Sequence, residues 1–194
     1  MRVIAGMLRR RTLEAPDGLS TRPTSDRLRE TLFNVLAPRI EGARFLDLYA
    51  GSGAVGIEAA SRGAASVVLV ERAAPALKVL RGNLEKLGLR GEVRVEAVSV
   101  GVFLRRIRAQ NAAMLFDLAF LDPPYEAADE YATALGLLGG EASGMLAENA
   151  LVVAEHRRKE KLEERYGTLT RTRVLKQGDA SLSFYEKQLP TASF

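Results

Sequence analysis

Asp122-Pro123-Pro124-Tyr125 is the stretch of this sequence with the clearest capacity for chemistry. Two successive prolines stiffen the backbone and remove two N–H donors, which leaves their carbonyls as acceptors. Asp122 adds a carboxylate acceptor and Tyr125 a flat aromatic face. Two converging acceptors beside a stacking ring suit an exocyclic NH2 on a planar base. A second stretch, Asp47-Leu48-Tyr49-Ala50-Gly51-Ser52-Gly53, joins an acid to a glycine-rich turn. Glycines there let backbone approach a ligand closely and present N–H groups at a helix start. Glu71 is the third feature, a carboxylate able to accept both hydroxyl hydrogens of a ribose. Gly51-x-Gly53-x-x-Gly56 also matches a dinucleotide fingerprint, with Glu71 twenty residues beyond Gly51. Asp47 would point negative charge toward a pyrophosphate, however. It suits a cationic group better, such as the amino group of a methionine moiety, and the dinucleotide reading leaves Asp122–Tyr125 without a use.

The elements around these residues explain why they would meet a ligand. Phe45–Tyr49, Ser66–Glu71, Val93–Val95, Phe116–Asp122 and Ala150–Glu155 read as short buried strands. They alternate with helices over about Ala54–Ser61, Pro75–Leu87, Val102–Arg108 and Tyr131–Leu138. In the second of these, Leu77, Leu80, Leu84 and Leu87 make the apolar face, and Gly88 ends it. The alternation predicts α/β architecture: βαβ units, a mainly parallel sheet and helices on both faces. Ligands of such sheets bind beyond the C-terminal ends of strands, where all three features fall. Leu169–Lys176 and Ser181–Lys187, joined near Gly178, predict an antiparallel C-terminal hairpin. Ahead of the first strand, Ser25-Asp26 caps a helix carrying Leu28, Leu32, Val35 and Leu36, and Pro38 stops it. Residues 1–24 read as irregular, with a turn at Pro16-Asp17-Gly18.

Composition narrows the chemistry. The 194 residues are 47% hydrophobic and 27% charged, which argues for a globular chain with a sizeable core. One domain over residues 1–194 is expected, with 1–24 as a basic extension. Cys is absent and His156 is the single His. Disulfides, thiolate metal sites, zinc-protease chemistry and Ser-His-Asp catalysis are therefore excluded. No apolar run is long enough for a membrane span, and Arg9-Arg10-Arg11 follows too soon for a secretory signal, so a cytoplasmic location is expected. The net charge of +4 is uneven: residues 1–30 hold seven Arg against four acids. Arg suits bidentate phosphate recognition, which marks Arg9, Arg10, Arg11, Arg22 and Arg27 as candidate RNA contacts.

Together, Asp47–Gly53, Glu71 and Asp122–Tyr125 resemble an S-adenosylmethionine-dependent amino-methyltransferase. Arg2-Val3-Ile4-Ala5-Gly6, Arg22–Glu30, Phe33–Leu36 and Gly56–Ala64 narrow the resemblance to the RsmD family, over nearly the whole chain. The resemblance implies a Rossmann-like class I methyltransferase with a seven-stranded sheet. It implies transfer of a methyl group to a guanine N2 of small-subunit ribosomal RNA, guanine 966 of 16S rRNA, within an assembled or assembling 30S particle. S-adenosylmethionine is the implied cofactor and S-adenosylhomocysteine the product. No metal is expected, because the sulfonium is already an activated methyl donor. Asp47 and the Gly51-Ser52-Gly53 turn, with Tyr49 and Ala50, would hold the methionine end. Glu71 would bind the ribose, and Arg72, Ser99 and Val100 would lie along the adenine. The family tends to carry Asp or Asn at the end of the third strand, where this chain has Ala97-Val98-Ser99-Val100. Asp122, Pro123, Pro124 and Tyr125 are the implied catalytic set.

Three other functions fit parts of the pattern. A DNA adenine-N6 methyltransferase uses a similar acceptor motif, but 194 residues leave little room for a DNA-reading domain. A non-catalytic RNA-binding assembly protein could keep a residual cofactor site, but the intact Asp122–Tyr125 motif argues against decay. An NAD enzyme would bind NAD in calorimetry and give no heat with S-adenosylmethionine.

Overall fold

Hydrophobic alternation and glycine placement build two units, Met1–Ser99 and Val100–Phe194. The computed structural model describes residues 1–15, 26–109, 115–124 and 128–188. In the first unit, α1 (Asp26–Ile40) leads into β1 (Arg44–Leu48), α2 (Ala54–Ser61), β2 (Ser66–Val70), α3 (Ala74–Leu87) and β3 (Val93–Glu96). The strands run parallel in the order β3-β2-β1. Leu48 lies opposite Val70, and Val70 opposite Glu96, so all three strands end at one level. Four of the five residues in β1 and in β2 are buried, as expected for strands covered on both faces.

The second unit holds α4 (Val100–Ala109), β4 (Phe116–Leu121), α5 (Ala128–Gly139), β5 (Leu146–Arg157), β6 (Arg165–Tyr166), β7 (Leu169–Gln177) and β8 (Ala180–Lys187). Its strand order is β4-β5-β8-β7-β6. β4 and β5 are parallel, and β8, β7 and β6 add on antiparallel. The expected C-terminal hairpin is present, turning at Gly178 with φ 59°.

Several boundaries differ from the sequence expectation. Pro38 does not stop α1, which runs on to Ile40; the proline sits exposed in the last turn while buried Ile40 anchors the end. β5 begins at Leu146, ahead of Ala150. A register shift between Phe116 and Leu118 lets β4 pair with both Leu146 and Leu151, and the exposed Glu148-Asn149 between them hides the strand from any apolar pattern. The described residues form eight strands against the expected seven. The extra one, β6, is two residues long and exists through its pairing with β7. On α3 the buried residues are Ala76, Leu80, Asn83 and Leu84, so Leu77 and Leu87 flank the apolar face and an Asn enters it. The turn expected at Pro16-Asp17-Gly18 lies outside the described residues.

The N-terminal segment is not irregular in its contacts. Arg2 bridges Thr12, and the amides of Ile4 and Ala5 donate to the Glu58 carboxylate at 2.7 and 2.9 Å. Glu58 is fully buried on α2 and also accepts from Arg62 Nε at 2.7 Å. Arg29 of α1, buried as well, donates to the Arg2 carbonyl and to Asp26, with its Nε 3.9 Å from Glu58. Ser61 closes the docking: its hydroxyl donates to the Ala5 carbonyl at 2.6 Å and accepts the Leu8 amide at 3.0 Å. A Cβ on Gly6 would stand 1.8 Å from the Ser61 carbonyl oxygen, and its φ is +82°. Gly6→Ala should therefore lower the melting temperature far more than Gly42→Ala, whose φ is +72° with nothing within 4 Å. Left-handed strain alone costs about 1–2 kcal/mol, and displaced backbone adds roughly 1–3 more. Equal losses in thermal unfolding would show that the segment does not dock on α2.

Candidate active site

The cofactor half of the expected site lies, except for Val100, in the first unit, centred on the turn that joins β1 to α2. The turn owes its shape to positive φ at Tyr49 (66°), Gly51 (56°) and Gly53 (83°). Tyr49 is a bulky side chain in a region that favours glycine, a strain that concentrates at functional sites. Two hydrogen bonds fix the turn from within the sheet: the Ala50 amide donates to the Val70 carbonyl at 2.9 Å, and the Gly53 amide to the Ala50 carbonyl at 2.8 Å. Glu71, one residue past β2, holds it from the side. Its Oε2 accepts the Gly51 amide at 2.9 Å, and its Oε1 accepts the Arg72 and Ala73 amides at 2.7 and 2.8 Å. The carboxylate expected to meet a ribose thus also fixes the glycine turn and the entry to α3.

Asp47 is 1% exposed at the heart of this arrangement. Its Oδ2 accepts the amide of Gly56 at 2.9 Å. Gly56 lies in the first turn of α2, where amides have no partner inside the helix, so a strand residue caps the helix. Glycine at 56 suits the packing: a Cβ would come within 2.1 Å of Leu69 Cδ2, so the buried Leu69 side chain would have to shift. The third glycine of the fingerprint is thereby explained by helix–strand contact. Burial pushes the Asp47 carboxyl up from 3.8 to about 8; the Gly56 hydrogen bond opposes this and the nearby Glu71 charge reinforces it. Two acids on adjacent strand ends, one of them strained toward neutrality, favour a cation. That is the acceptor set a methionine ammonium would need, and it disfavours a pyrophosphate. Ser99 is half-buried immediately ahead of α4, and Val100 is buried as the first residue of that helix. Arg72 is exposed beside Glu71.

The acceptor half lies in the second unit. Asp122 follows directly on β4, whose last residue, Leu121, pairs with Ala154 of β5. Asp122 is half-buried, Pro123 buried and Pro124 exposed. Tyr125 lies outside the described residues. Of the candidate RNA contacts, Arg9, Arg10, Arg11 and Arg27 are exposed on the first unit, and Arg22 lies outside the described residues. Arg10 has φ 69°, and the Arg11 guanidinium reaches the Lys86 carbonyl at 3.3 Å.

Sequence reasoning missed two sets of residues at these positions. Asn83 of α3 donates to the Ser52 carbonyl at 3.0 Å, inside the glycine turn. Its only sequence signal is a polar residue at i+3 from Leu80 on an otherwise apolar face. Glu155 and His156 continue β5 just past Ala154, the partner of Leu121, and are buried. His156 Nε2 lies 2.9 Å from the Ser183 hydroxyl, and burial holds its pKa below the usual value. Tyr131 donates to the Glu155 carbonyl at 2.8 Å. No spacing rule links these residues to Asp122; the pairing of β4 with β5 does.

Known proteins share this organisation. A family model described as conserved hypothetical protein 95 matches residues 1–186. YlbH of Bacillus subtilis (strain 168) is 38% identical over 188 residues, covering 97% of this chain and 100% of its own. Ribosomal RNA small subunit methyltransferase D of Escherichia coli (strain K12) is 41% identical over 155 residues, 80% of this chain and 74% of its own. Among solved structures, a hypothetical protein of Thermus thermophilus superposes with a TM-score of 0.80 at 36% identity, over 97% of this chain and 99% of the other.

The Asp47 environment sets a pH test. Between pH 3.8 and about 8 the folded chain keeps a proton that the unfolded chain has lost, so this group makes stability fall as pH rises through that window. Asp47→Asn removes the penalty and keeps an acceptor for Gly56. It should raise the melting temperature at pH 8 by at least about 2–4 °C, the shift that 1 kcal/mol gives in a chain of this size. The same change should weaken S-adenosylmethionine. A bound ammonium favours the carboxylate, so binding to the wild type at pH 7 should release a proton, and affinity should rise from pH 6 to 7.5. Calorimetry in two buffers of different ionisation heat measures that release. Finding none in the wild type would place the ammonium away from Asp47.

Proposed function

The chain belongs to the conserved hypothetical protein 95 family, the RsmD family, and on that premise we propose that it methylates the N2 amine of a guanine in small-subunit ribosomal RNA. It is an S-adenosylmethionine-dependent methyltransferase. The finer assignments are part of the same proposal: guanine 966 of 16S rRNA as target, an assembled or assembling 30S particle as substrate, and the whole chain acting as one methyltransferase domain. The observation that carries the reading is the Asp122-Pro123 pair, a half-buried carboxylate and a buried proline set rigidly at the tip of the buried strand β4. No helix among the described residues is long and apolar enough to cross a membrane.

S-adenosylmethionine supplies an activated sulfonium methyl, so neither a metal nor a covalent nucleophile is required of the protein. What the protein must supply is orientation. The lone pair of a guanine NH2 is delocalised into the ring and is a poor nucleophile while the nitrogen stays planar. Asp122 and the Pro123 carbonyl accept its two hydrogens and draw the nitrogen toward a tetrahedral shape, which frees the lone pair. Asp122 accepts the proton that the amine loses. Tyr125 stacks on the base and fixes its plane. In the first unit, Asp47 balances the methionine ammonium, Glu71 receives the ribose hydroxyls, and the Gly51–Gly53 turn admits the ligand to the backbone. Arg72, Ser99 and Val100 line the adenine. A base inside a duplex cannot be held this way, so the target guanine is single-stranded or flipped out. Arg9, Arg10, Arg11, Arg22 and Arg27 contact RNA phosphates.

Alignment supplies up to about 7–11 kcal/mol in such reactions, and one preorganised polar contact about 2.7–4 kcal/mol. Asp122→Ala should therefore lower kcat by about 100- to 1,000-fold with little change in cofactor affinity. Tyr125→Phe should be milder than Tyr125→Ala. The deciding assay supplies radiolabelled S-adenosylmethionine with unmodified small subunits, free rRNA and DNA, then identifies the labelled nucleoside. N2-methylguanosine from the subunits is the expected product. Label in DNA as N6-methyladenosine would reverse the reading, and so would near-normal turnover by Asp122→Ala.

A further inference from the structure

Asn83 joins two parts of the first unit that sequence keeps far apart. It sits on α3 and is 1% exposed. Its Nδ2 donates to the Ser52 carbonyl and to the Glu14 carbonyl, each at 3.0 Å, and its Oδ1 accepts the Glu14 amide at 2.9 Å. Both N–H groups and the carbonyl oxygen of the side chain are therefore used, and every partner is backbone. The orientation of the amide is fixed, because exchanging its O and N would set N–H against the Glu14 N–H.

The two partners matter for different reasons. Ser52 lies between Gly51 and Gly53, both at positive φ, where the chain has little steric preference of its own. Glu71 holds this turn through the Gly51 amide, and Asn83 holds it through the next carbonyl. Glu14 lies near the end of the described N-terminal segment that carries Arg9, Arg10 and Arg11. Neighbouring contacts hold that segment to itself and to Lys86 of the same helix. Buried Leu13 donates its amide to the Met1 carbonyl at 2.9 Å, Arg11 reaches the Lys86 carbonyl, and the Glu14 carboxylate lies 3.5 Å from Lys86 Nζ. The contacts to Lys86 are exposed and weak, whereas those to Asn83 are buried and complete.

We propose that Asn83 is a positioning residue that fixes the glycine turn for S-adenosylmethionine and ties the basic N-terminal segment to that turn. This inference rests on the cofactor reading above. A ligand that settles the Ser52 peptide also settles the Glu14 peptide through one amide, and linkage makes the effect reciprocal. Occupation of the cofactor turn is thus felt at the segment that carries the arginines.

Two measurements test it. Asn83→Asp keeps the shape but turns both donors into acceptors facing carbonyls. It should weaken S-adenosylmethionine about 10-fold in calorimetry, and raise KM for the cofactor while kcat at saturation stays within about threefold. Glu14→Ala, which keeps its backbone bonds to Asn83, should stay within about twofold of the wild type. In the wild-type protein, S-adenosylmethionine should slow hydrogen exchange of the Glu14 amide by at least about fivefold. The exchange measurement decides alone if Asn83→Asp does not fold. A wild type that binds the cofactor without protecting Glu14, or a folded Asn83→Asp of unchanged affinity, overturns the inference and leaves the cofactor reading standing. A wild type that gives no heat with S-adenosylmethionine overturns both.

Discussion

A carboxyl held out of water at Asp47 is the constraint on which the first unit turns. An acid is a costly group to bury, and one neighbour here offsets that cost while another adds to it. The Gly56 amide donates to it, so the acid substitutes for a partner that the first turn of a helix lacks. Glu71, one strand over, pushes its pKa in the same direction as burial does. The hydrogen bond requires that α2 start close against β1, and that closeness leaves no room for a Cβ at Gly56. The short approach from strand to helix then needs a turn with positive φ at Tyr49, Gly51 and Gly53. One buried acid thus accounts for the glycines and for the strained tyrosine. In this view the site is less stable empty than a neutral residue would make it, a common exchange of stability for function.

Glu58 and Asn83 carry the same logic toward the N-terminus. Both are buried polar groups whose partners are mainly backbone amides and carbonyls of residues 2–14 or of the glycine turn. Removing one side of such a pair leaves a buried donor or acceptor unsatisfied, a larger loss than the net gain of a typical hydrogen bond. Residues 1–15 are therefore part of the folded unit, paired with one another at the Arg2–Thr12 bridge. Arg9, Arg10 and Arg11 are held on a frame continuous with the glycine turn.

Most of the α/β pattern is legible because buried strands and amphipathic helices write their period into the chain. β1, β2, α2, α3 and the C-terminal hairpin emerge within one or two residues of their observed bounds. The pattern fails where pairing or position overrides composition. β6 exists because Tyr166 meets Leu169 across a tight turn, which two residues cannot signal. β5 starts early because a register shift admits the polar Glu148-Asn149 into the strand. Pro38 looks like a helix end, yet a proline in the last turn forfeits little while Ile40 is buried beyond it. Among site residues, Asp47, Gly51, Gly53 and Glu71 are legible because loop chemistry and strand ends are written locally. Asn83 is not, since an Asn at helical spacing looks like an interruption until its long-range partners are known. The extension reads as irregular because Glu58 recognises its amides, which carry no residue identity at all.

The division of labour follows from where the activation energy lies. Under the proposed function a sulfonium arrives activated, so the first unit would need only to balance charge and present a defined turn, for which it has acids and backbone rather than a nucleophile. Under the same proposal a delocalised amine arrives unreactive, so the residues after β4 would have to reshape it, and acceptors on stiff backbone would be the means: Asp122 for charge, the Pro123 carbonyl for direction. Neither task uses the single histidine. His156 is engaged by Ser183 and by the Arg157 carbonyl, and burial keeps it from protonating readily. Its ring packs edge-on to Tyr131 at 6.4 Å, which places it among the groups that brace β5 against β8 and α5. The proposed chemistry is accordingly one of position, and buried hydrogen bonds tie strand ends, glycine turn and N-terminal segment into fixed relation within the first unit.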